Sequence, residues 1–201
     1  MANMSDAAAT RLEKLQELFA DAPELGKAAL KNAIAEIAQT APADPSLSVK
    51  QAGRIGSRIG AVSELTVIFP FAEGGAKRLR GLLQLLNGDF SGADLVGTVH
   101  NMRFVFLDND TKLLFATAYD GDWDPYIDDF ATKIPDLMDV LGSNFEGYPG
   151  IRSPEVKDYI AKYQLPAEGW YVANPKLTVA EGRRLQRVGE ALDTFLDKIG
   201  N

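Results

Sequence analysis

The composition is that of an acidic globular chain. Its 201 residues are 46% hydrophobic and 24% charged, with a formal net charge of −7, and a chain of this kind can bury a core of its own. The absence of cysteine excludes disulfides, thiolate metal sites and cysteine nucleophiles, and the lack of a compensating Lys/Arg block argues against nucleic-acid binding.

The hydropathy pattern also bears on location. The longest apolar runs are far shorter than the roughly 20 residues that span a bilayer. The opening residues MANMSDAAATRLEKLQ are polar and charged and contain no signal-peptide core. We therefore expect no membrane span and a cytoplasmic protein.

Residues 1–40 predict an N-terminal helical extension. Apolar side chains recur at helical spacing over residues 5–20, and Pro23 separates this helix from a second one over residues 24–39. Each helix carries a single apolar stripe, so the pair has to pack on something else.

Residues 41–62 contain prolines and glycines and predict a linker or a long surface loop. The spacing Gly53-x-x-Gly56-x-x-x-Gly60 invites comparison with a phosphate-binding loop. The Gly-Lys-Ser/Thr ending is missing and no strand is predicted before it. A flexible connector is the better interpretation.

From residue 64 onward the pattern alternates between strands and helices. The strands are expected over Glu64–Pro70, Val96–Leu107, Lys112–Tyr119 and Gly169–Ala173, and the helices over Glu73–Asn87, Pro125–Leu141, Ser153–Tyr163 and Thr178–Ile199. The turn Asp108-Asn109-Asp110 joins the central strands into a hairpin, and Pro135 should kink or split its helix. This order predicts an α+β domain over residues 63–201, a ferredoxin-like (split βαβ) four-stranded antiparallel sheet with helices on one face.

The central strand predicts a partner for the second face of the sheet. By strict alternation one face carries Val99, Asn101 and Arg103, and the other carries His100 and Met102. Phe104 and Phe106 share the face of His100, while Val105 and Leu107 share the face of Arg103. Both faces are therefore too apolar to stay open to water. We expect a homodimer with face-to-face sheets and a ligand cavity between them; cover by the N-terminal helices is the alternative.

His100 is the only histidine and the first candidate for chemistry. It could serve as a general base or a haem ligand. The alternative is a buried histidine that is hydrogen-bonded in the core, or one that lies at an interface. Arg103 falls on the opposite face of a regular strand, unless a bulge intervenes. Arg103 needs a partner, either a ligand carboxylate or an aspartate such as Asp120.

An acidic group follows the second hairpin strand. Its aspartates could recruit a hard cation, but the spacing departs from a calcium loop, and acidic residues commonly complement a helix N-terminus. We therefore expect no metal site. The group consists of Asp120, Asp122, Asp124, Asp128 and Asp129.

Several short motifs in order resemble a widespread, poorly characterised bacterial ferredoxin-like family. They are ELTVIFPF, GTVHNMRFVFLDNDTKLLFATAYDGDWDPYIDDF, GYPG and GWYVANP, within residues 63–175. The topology is also similar to the dimeric α+β barrel class of dye-decolourising peroxidases, chlorite dismutases and small monooxygenases. Asp120-Gly121 matches the GxxDG element of the peroxidases, but Thr117 replaces its first glycine. The chain has no second histidine.

The resemblance implies a protein that binds a small hydrophobic ligand or haem, and an oxidoreductase of peroxidase or monooxygenase type. His100, Arg103 and Asp120 would be catalytic, and His100, Met102 and Phe104 would contact the cofactor. The main alternative is a non-catalytic accessory protein whose second sheet face packs on a protein partner. A hydrolase or isomerase that uses the aspartates is the third hypothesis.

Overall fold

The computed structural model describes residues 4–39 and 48–199 as an α+β protein. The chain divides into two compact units, Met1–Asp44 and Pro45–Asn201. The first contains the two predicted helices, α1 (Met4–Leu18) and α2 (Glu24–Gln39). Residues 41–47 of the predicted linker lie outside the described residues.

The second unit is built on a five-stranded antiparallel sheet. Its strands are β1 (Lys50–Gln51), β2 (Ser57–Ile59), β3 (Val62–Pro70), β4 (Val99–Leu107) and β5 (Lys112–Asp120), and they lie in the order β1-β2-β3-β5-β4. In the described part of this unit, two helices lie between β3 and β4 and four follow β5 along the chain. The helices are α3 (Gly75–Leu86), α4 (Gly92–Val96), α5 (Trp123–Lys133), α6 (Pro135–Gly142), α7 (Val156–Lys162) and α8 (Val179–Ile199). No helix within the two described ranges is both long and apolar enough to cross a membrane.

The predicted α+β class is confirmed, but the sheet has five strands where four were expected. The predicted strand Gly169–Ala173 is not a strand. Just before this segment, the chain pairs with β3 over a short stretch, through the bridge Val67↔Gln164 and the hydrogen bond from Leu165 N to Thr66 O (2.9 Å). Pro166 comes next, and because proline has no amide hydrogen it cannot extend the ladder.

The two extra strands, β1 and β2, lie in the segment that was predicted as a linker. Its glycines lie in the turns that join β1, β2 and β3: Gly60, between β2 and β3, has a φ of 64°, a conformation that favours glycine. A Cβ at Gly60 would also overlap the carbonyl oxygen of Pro175, which accepts a bond from Ala61 N at 2.7 Å. These residues are therefore part of the folded sheet edge.

The predicted hairpin of β4 and β5 is confirmed. Asp108, Asn109 and Asp110 have φ values of 50°, 52° and 65°, in the left-handed region that Asn and Asp tolerate better than other side chains. Arg80 donates two bonds to the Asp110 carboxylate, at 2.6 and 2.7 Å. The turn is thus tied to α3.

The predicted break at Pro135 is also confirmed. Helix α5 ends before Ile134, whose φ and ψ of −139° and 45° are not helical, and α6 begins at Pro135. Proline suits the first position of a helix because its missing amide hydrogen has no partner there.

The core lies on one side of the sheet, here called the helix face. Leu65 and Val67 of β3 pair with Thr117 and Phe115 of β5 and pack in one cluster with α5, α7 and the loop at Ile151. The members of the cluster with little or no exposure are Leu65, Val67, Phe69, Val96, Tyr119, Trp123, Tyr126, Ile127, Phe130, Ile151 and Val156.

A β-bulge at His100 changes which residues share a face. Val99 pairs with Tyr119 and Asn101 pairs with Ala118, so His100 is the extra residue between them. Strict alternation across the strand was therefore wrong: Val99 falls on the helix face with Met102. We call the other side, which carries Asn101, the outer face.

Two glycines of α3, Gly75 and Gly81, differ in how closely other atoms approach them. A Cβ at Gly75 would overlap the carbonyl oxygen of Asn144, which accepts a bond from Ala72 N at 2.9 Å, whereas a Cβ at Gly81 meets nothing within 4 Å. We expect Gly75→Ala to lower the free energy of unfolding by about 1–3 kcal/mol, the usual cost of overpacking. Gly81→Ala should raise it by up to about 1 kcal/mol through helix propensity. Urea denaturation of both variants checks this, and equal effects would contradict the packing at Gly75.

Candidate functional site

The bulge brings His100 against the last residue of β5. His100 Nε2 donates to Asp120 Oδ1 at 2.7 Å, with side-chain exposures of 25% and 13%. Because a carboxylate only accepts, the hydrogen of a neutral imidazole is held on Nε2. Nδ1 has no partner among the described residues and remains an acceptor. A carboxylate that orients an imidazole in this way is the usual support of a histidine base.

Asp120 also anchors the last helix. Its Oδ2 accepts a bond from Val179 N, the first residue of α8, at 2.8 Å. Thr178 and Glu181 complete the helix start as a capping box: Glu181 N donates to Thr178 Oγ1 (3.2 Å) and Thr178 N donates to Glu181 Oε2 (3.0 Å). The backbone bond from Thr178 lowers the pKa of Glu181. The Asp120 carboxylate therefore joins β5, the bulge in β4 and α8.

A cavity of about 270 Å³ lies beside this pair on the outer face. The sheet contributes Val62, His100, Asn101 and Ala118, and the segment that crosses the outer face closes the other side. The crossing residues in the lining are Trp170, Tyr171, Val172, Ala173, Asn174 and Leu177. The cavity thus combines apolar and aromatic walls with a histidine and two amide side chains.

Arg103 lies on the same face as this cavity. It pairs with Ala116, two residues along β5 from the partner of Asn101. The bulge therefore puts His100 and Arg103 on one side of the sheet, which strict alternation had excluded. Arg103 does not line the cavity, and it has no ion pair or hydrogen bond to the described residues, so the expected pairing with an aspartate is not formed.

The residues predicted to hold a cofactor are on opposite sides of the sheet. Met102 and Phe104 line a wholly apolar cavity of about 100 Å³ on the helix face, while His100 lines the outer cavity. Pockets for drug-sized ligands measure roughly 300–1,000 Å³, so the inner cavity has no room for haem. These three side chains do not fit one haem.

Each aspartate of the acidic group has a basic partner. Asp120 accepts from His100, and Asp122 pairs with Arg58 at 2.6 Å. Lys157 joins Asp124 and Asp128, and Lys133 pairs with Asp129. Within residues 4–39 and 48–199, no group of three His, Cys, Asp or Glu side chains is arranged to hold a metal ion. The described contacts therefore give Asp122, Asp124, Asp128 and Asp129 ion pairs with arginine or lysine.

Glu64 is a buried carboxyl on the outer face that the sequence reading did not single out. It pairs with Ala118 in the sheet, is 4% exposed, and accepts bonds from Ser57 N (3.1 Å) and Thr66 Oγ1 (3.3 Å). Burial raises its pKa, and these bonds partly oppose the rise. The alternation of Glu64, Thr66 and Ile68 along the predicted strand was the available signal, because it puts these three side chains on one face of the sheet.

Comparison with known proteins adds no relative. No family model, no curated protein and no solved structure matches the chain.

Removing the Asp120 carboxylate should cost more than removing a neighbouring one. Asp120→Ala leaves His100 Nε2 and Val179 N without their acceptor, and we expect the free energy of unfolding to fall by about 1–3 kcal/mol. Asp122→Ala is the matched control, since its exposed pair with Arg58 should be worth about 0–1 kcal/mol. Urea denaturation gives both values, and hydrogen exchange should show faster opening at the start of α8 only in Asp120→Ala. Equal losses would contradict the anchoring role.

Glu64 should make stability depend on pH. Because its pKa is raised in the folded protein, the folded state binds the proton more tightly than the unfolded state does. The free energy of unfolding therefore falls as pH rises from the ordinary glutamate pKa through the raised one. Glu64→Gln removes this loss, so its stability relative to the unsubstituted protein should grow from acid to neutral pH. Denaturant unfolding at several pH values measures the difference, and a difference that shrinks with rising pH would contradict the direction of the pKa shift.

Proposed function

We propose that the protein binds a small organic molecule in the cavity on the outer face, with His100 as its hydrogen-bonding and proton-accepting group. One observation carries the proposal: the nearly buried Asp120 carboxylate orients His100 at the wall of a cavity of about 270 Å³. This volume is near the lower end of the roughly 300–1,000 Å³ typical of ligand pockets.

The side chains that line the cavity indicate which kind of ligand would fit it. Val62, Ala118 and Leu177 would contact an apolar body, and the Trp170 and Tyr171 rings offer aromatic surface. His100 Nδ1 would accept a hydrogen bond from a hydroxyl or amide, or remove a proton from an acidic group on the ligand. Arg103 is on the same face and free of ion pairs within the described residues but does not line the cavity, so it would contact only a ligand with a negatively charged group that extends beyond the cavity.

The finer assignment, a ferredoxin-like sheet of the dimeric α+β barrel type, is also a proposal. The neighbours β3, β5 and β4 have the order expected of a split βαβ unit, and the bridge at Gln164 occupies the place of a fourth strand beside β3. A cofactor-free oxidoreductase of this type would use His100 as its base. The haem alternative has less support, because Met102 and Phe104 are on the other face of the sheet from His100.

The non-catalytic alternative has an observation of its own. Val105 on the outer face is 42% exposed, next to the half-buried Leu114 with which it pairs. An apolar surface of this kind suits a protein partner, including a second copy packed sheet to sheet. The segment from Trp170 to Leu177 already covers the other end of the face, so only part of the face is open to such a partner.

The single histidine makes a direct test available. Its imidazole signals can be followed by NMR without ambiguity while small phenols, carboxylic acids and amides are added in turn. We expect at least one class to shift these signals saturably, together with the backbone amides of Ala118 and Tyr171. His100→Gln should weaken binding of that probe about tenfold, the loss of one hydrogen bond to a ligand. Met102→Leu, on the helix face, is the matched control and should leave binding unchanged.

Other outcomes would assign the protein differently. If no probe class shifts the His100 signals, or if His100→Gln binds as well as the unsubstituted protein, the ligand site is wrong and the accessory function is favoured. Added haem provides the remaining comparison: a Soret band that His100→Ala abolishes would favour a haem oxidoreductase over the proposed ligand site.

A further inference from the structure

The segment that crosses the outer face is attached to the sheet at both ends. Before it, Leu165 N donates to Thr66 O at 2.9 Å, and after it, Pro175 O accepts a bond from Ala61 N at 2.7 Å. Between these anchors lie residues 168–173, here called the strap. The strap supplies four of the residues that line the outer cavity. It is therefore a wall of the cavity that is fixed only at its ends.

Between its anchors the strap is held loosely. The backbone of residues 168–173 makes no hydrogen bond to any other described residue. Four of the six strap residues are exposed, and only Trp170 and Val172 are half-buried. A segment with an unpaired backbone and few buried side chains moves at a lower free-energy cost than the strands beneath it. The strap can therefore change its distance from the sheet while the sheet stays folded.

Tyr171 leaves most of its surface in water at the wall of the cavity. The residue is 85% exposed, whereas Val62 and Ala118, on the wall that the sheet provides, are 3% and 9% exposed. An enclosed aromatic side chain buries roughly 150–250 Å², so most of the contact area of Tyr171 is still unused. The paired strands have no comparable surface to add. Inward movement of Tyr171 is therefore the change that would cover a bound molecule most.

We propose that the strap closes over a ligand in the outer cavity, and that Tyr171 covers the ligand and selects planar, aromatic molecules. The inference rests on the proposed function, because it needs a ligand beside His100. Closure would exclude water and so strengthen the hydrogen bond that the imidazole accepts. A flat ring offers the face on which the Tyr171 ring can stack, and a saturated ring of the same size does not.

The first test is truncation of Tyr171. Because the residue is 85% exposed, Tyr171→Ala should leave folding unchanged, and a rigid wall would lose little affinity with it. Closure predicts a larger effect: the dissociation constant of the bound probe, read from the His100 NMR signals, should rise about tenfold. Tyr171→Phe keeps the ring and should bind like the unsubstituted protein. Glu168→Ala is the matched control, since Glu168 is an exposed strap residue that does not line the cavity.

The probes are chosen to test selection as well. They are phenol, benzoic acid and benzamide, each measured beside its cyclohexane analogue. We expect the unsubstituted protein to prefer the aromatic member of at least one pair. Tyr171→Ala should reduce that preference, because the stacking ring is gone. An equal loss of affinity for both members of the pair would overturn the selecting role of Tyr171.

Limited proteolysis of the full chain follows the movement of the strap directly. Chymotrypsin cleaves after aromatic residues, and exposed loops are its preferred sites, so we expect cleavage at Trp170 and Tyr171 in the free protein. A bound probe should slow this cleavage at least fivefold. Cleavage after Phe19, which lies in the first unit and is 39% exposed, is the internal control for inhibition of the protease by the probe.

The outcomes separate this proposal from the proposed function. If none of the three aromatic probes shifts the His100 signals, both are overturned for this class of ligand. If a probe binds but Tyr171→Ala binds it equally well, or the strap is cleaved as fast as before, the ligand site stands and closure of the strap is wrong.

Discussion

The second unit depends on one carboxylate, Asp120. It ends β5 and uses its two oxygens for different elements: one holds the imidazole of the β4 bulge and the other holds the first amide of α8. A side chain only 13% exposed that accepts two bonds from polar groups is costly to replace, because each donor would lose its partner. The candidate site and the placement of the last helix therefore share a single anchor.

On the outer face of the sheet, Asp120 holds His100 in the wall of the candidate ligand cavity. A regular β4 would have turned His100 away from Asn101, whereas the bulge puts both in the wall of one cavity. The segment after Pro166 crosses above them instead of adding a strand, and it supplies the aromatic wall. The helix face is packed mainly with apolar side chains and leaves a small, apolar cavity, whereas the histidine and the amide side chains line the cavity on the outer face.

Local patterns in the sequence determined much of the fold. Three Asp and Asn residues predicted the β4–β5 turn, Pro135 predicted the break between α5 and α6, and apolar periodicity predicted every described helix except α4, because each of these effects acts within a few residues. The sequence had no helix at α4 (Gly92–Val96) and began the strand there, at Val96. The order of elements also predicted the α+β class.

Only the tertiary structure decided how the site is assembled. The bulge at His100 depends on pairing with β5, which lies outside β4, so strict alternation put Val99 on the wrong face and separated His100 from Arg103. The glycines of residues 48–62 read as a linker, because the carbonyl of Pro175 that Gly60 approaches is more than a hundred residues away along the chain. The burial of Glu64 and the contact of Asp120 with α8 likewise join distant segments. The sequence by itself determined most of the elements and which polar groups are present, and long-range pairing decided the remaining strands and which of those groups meet.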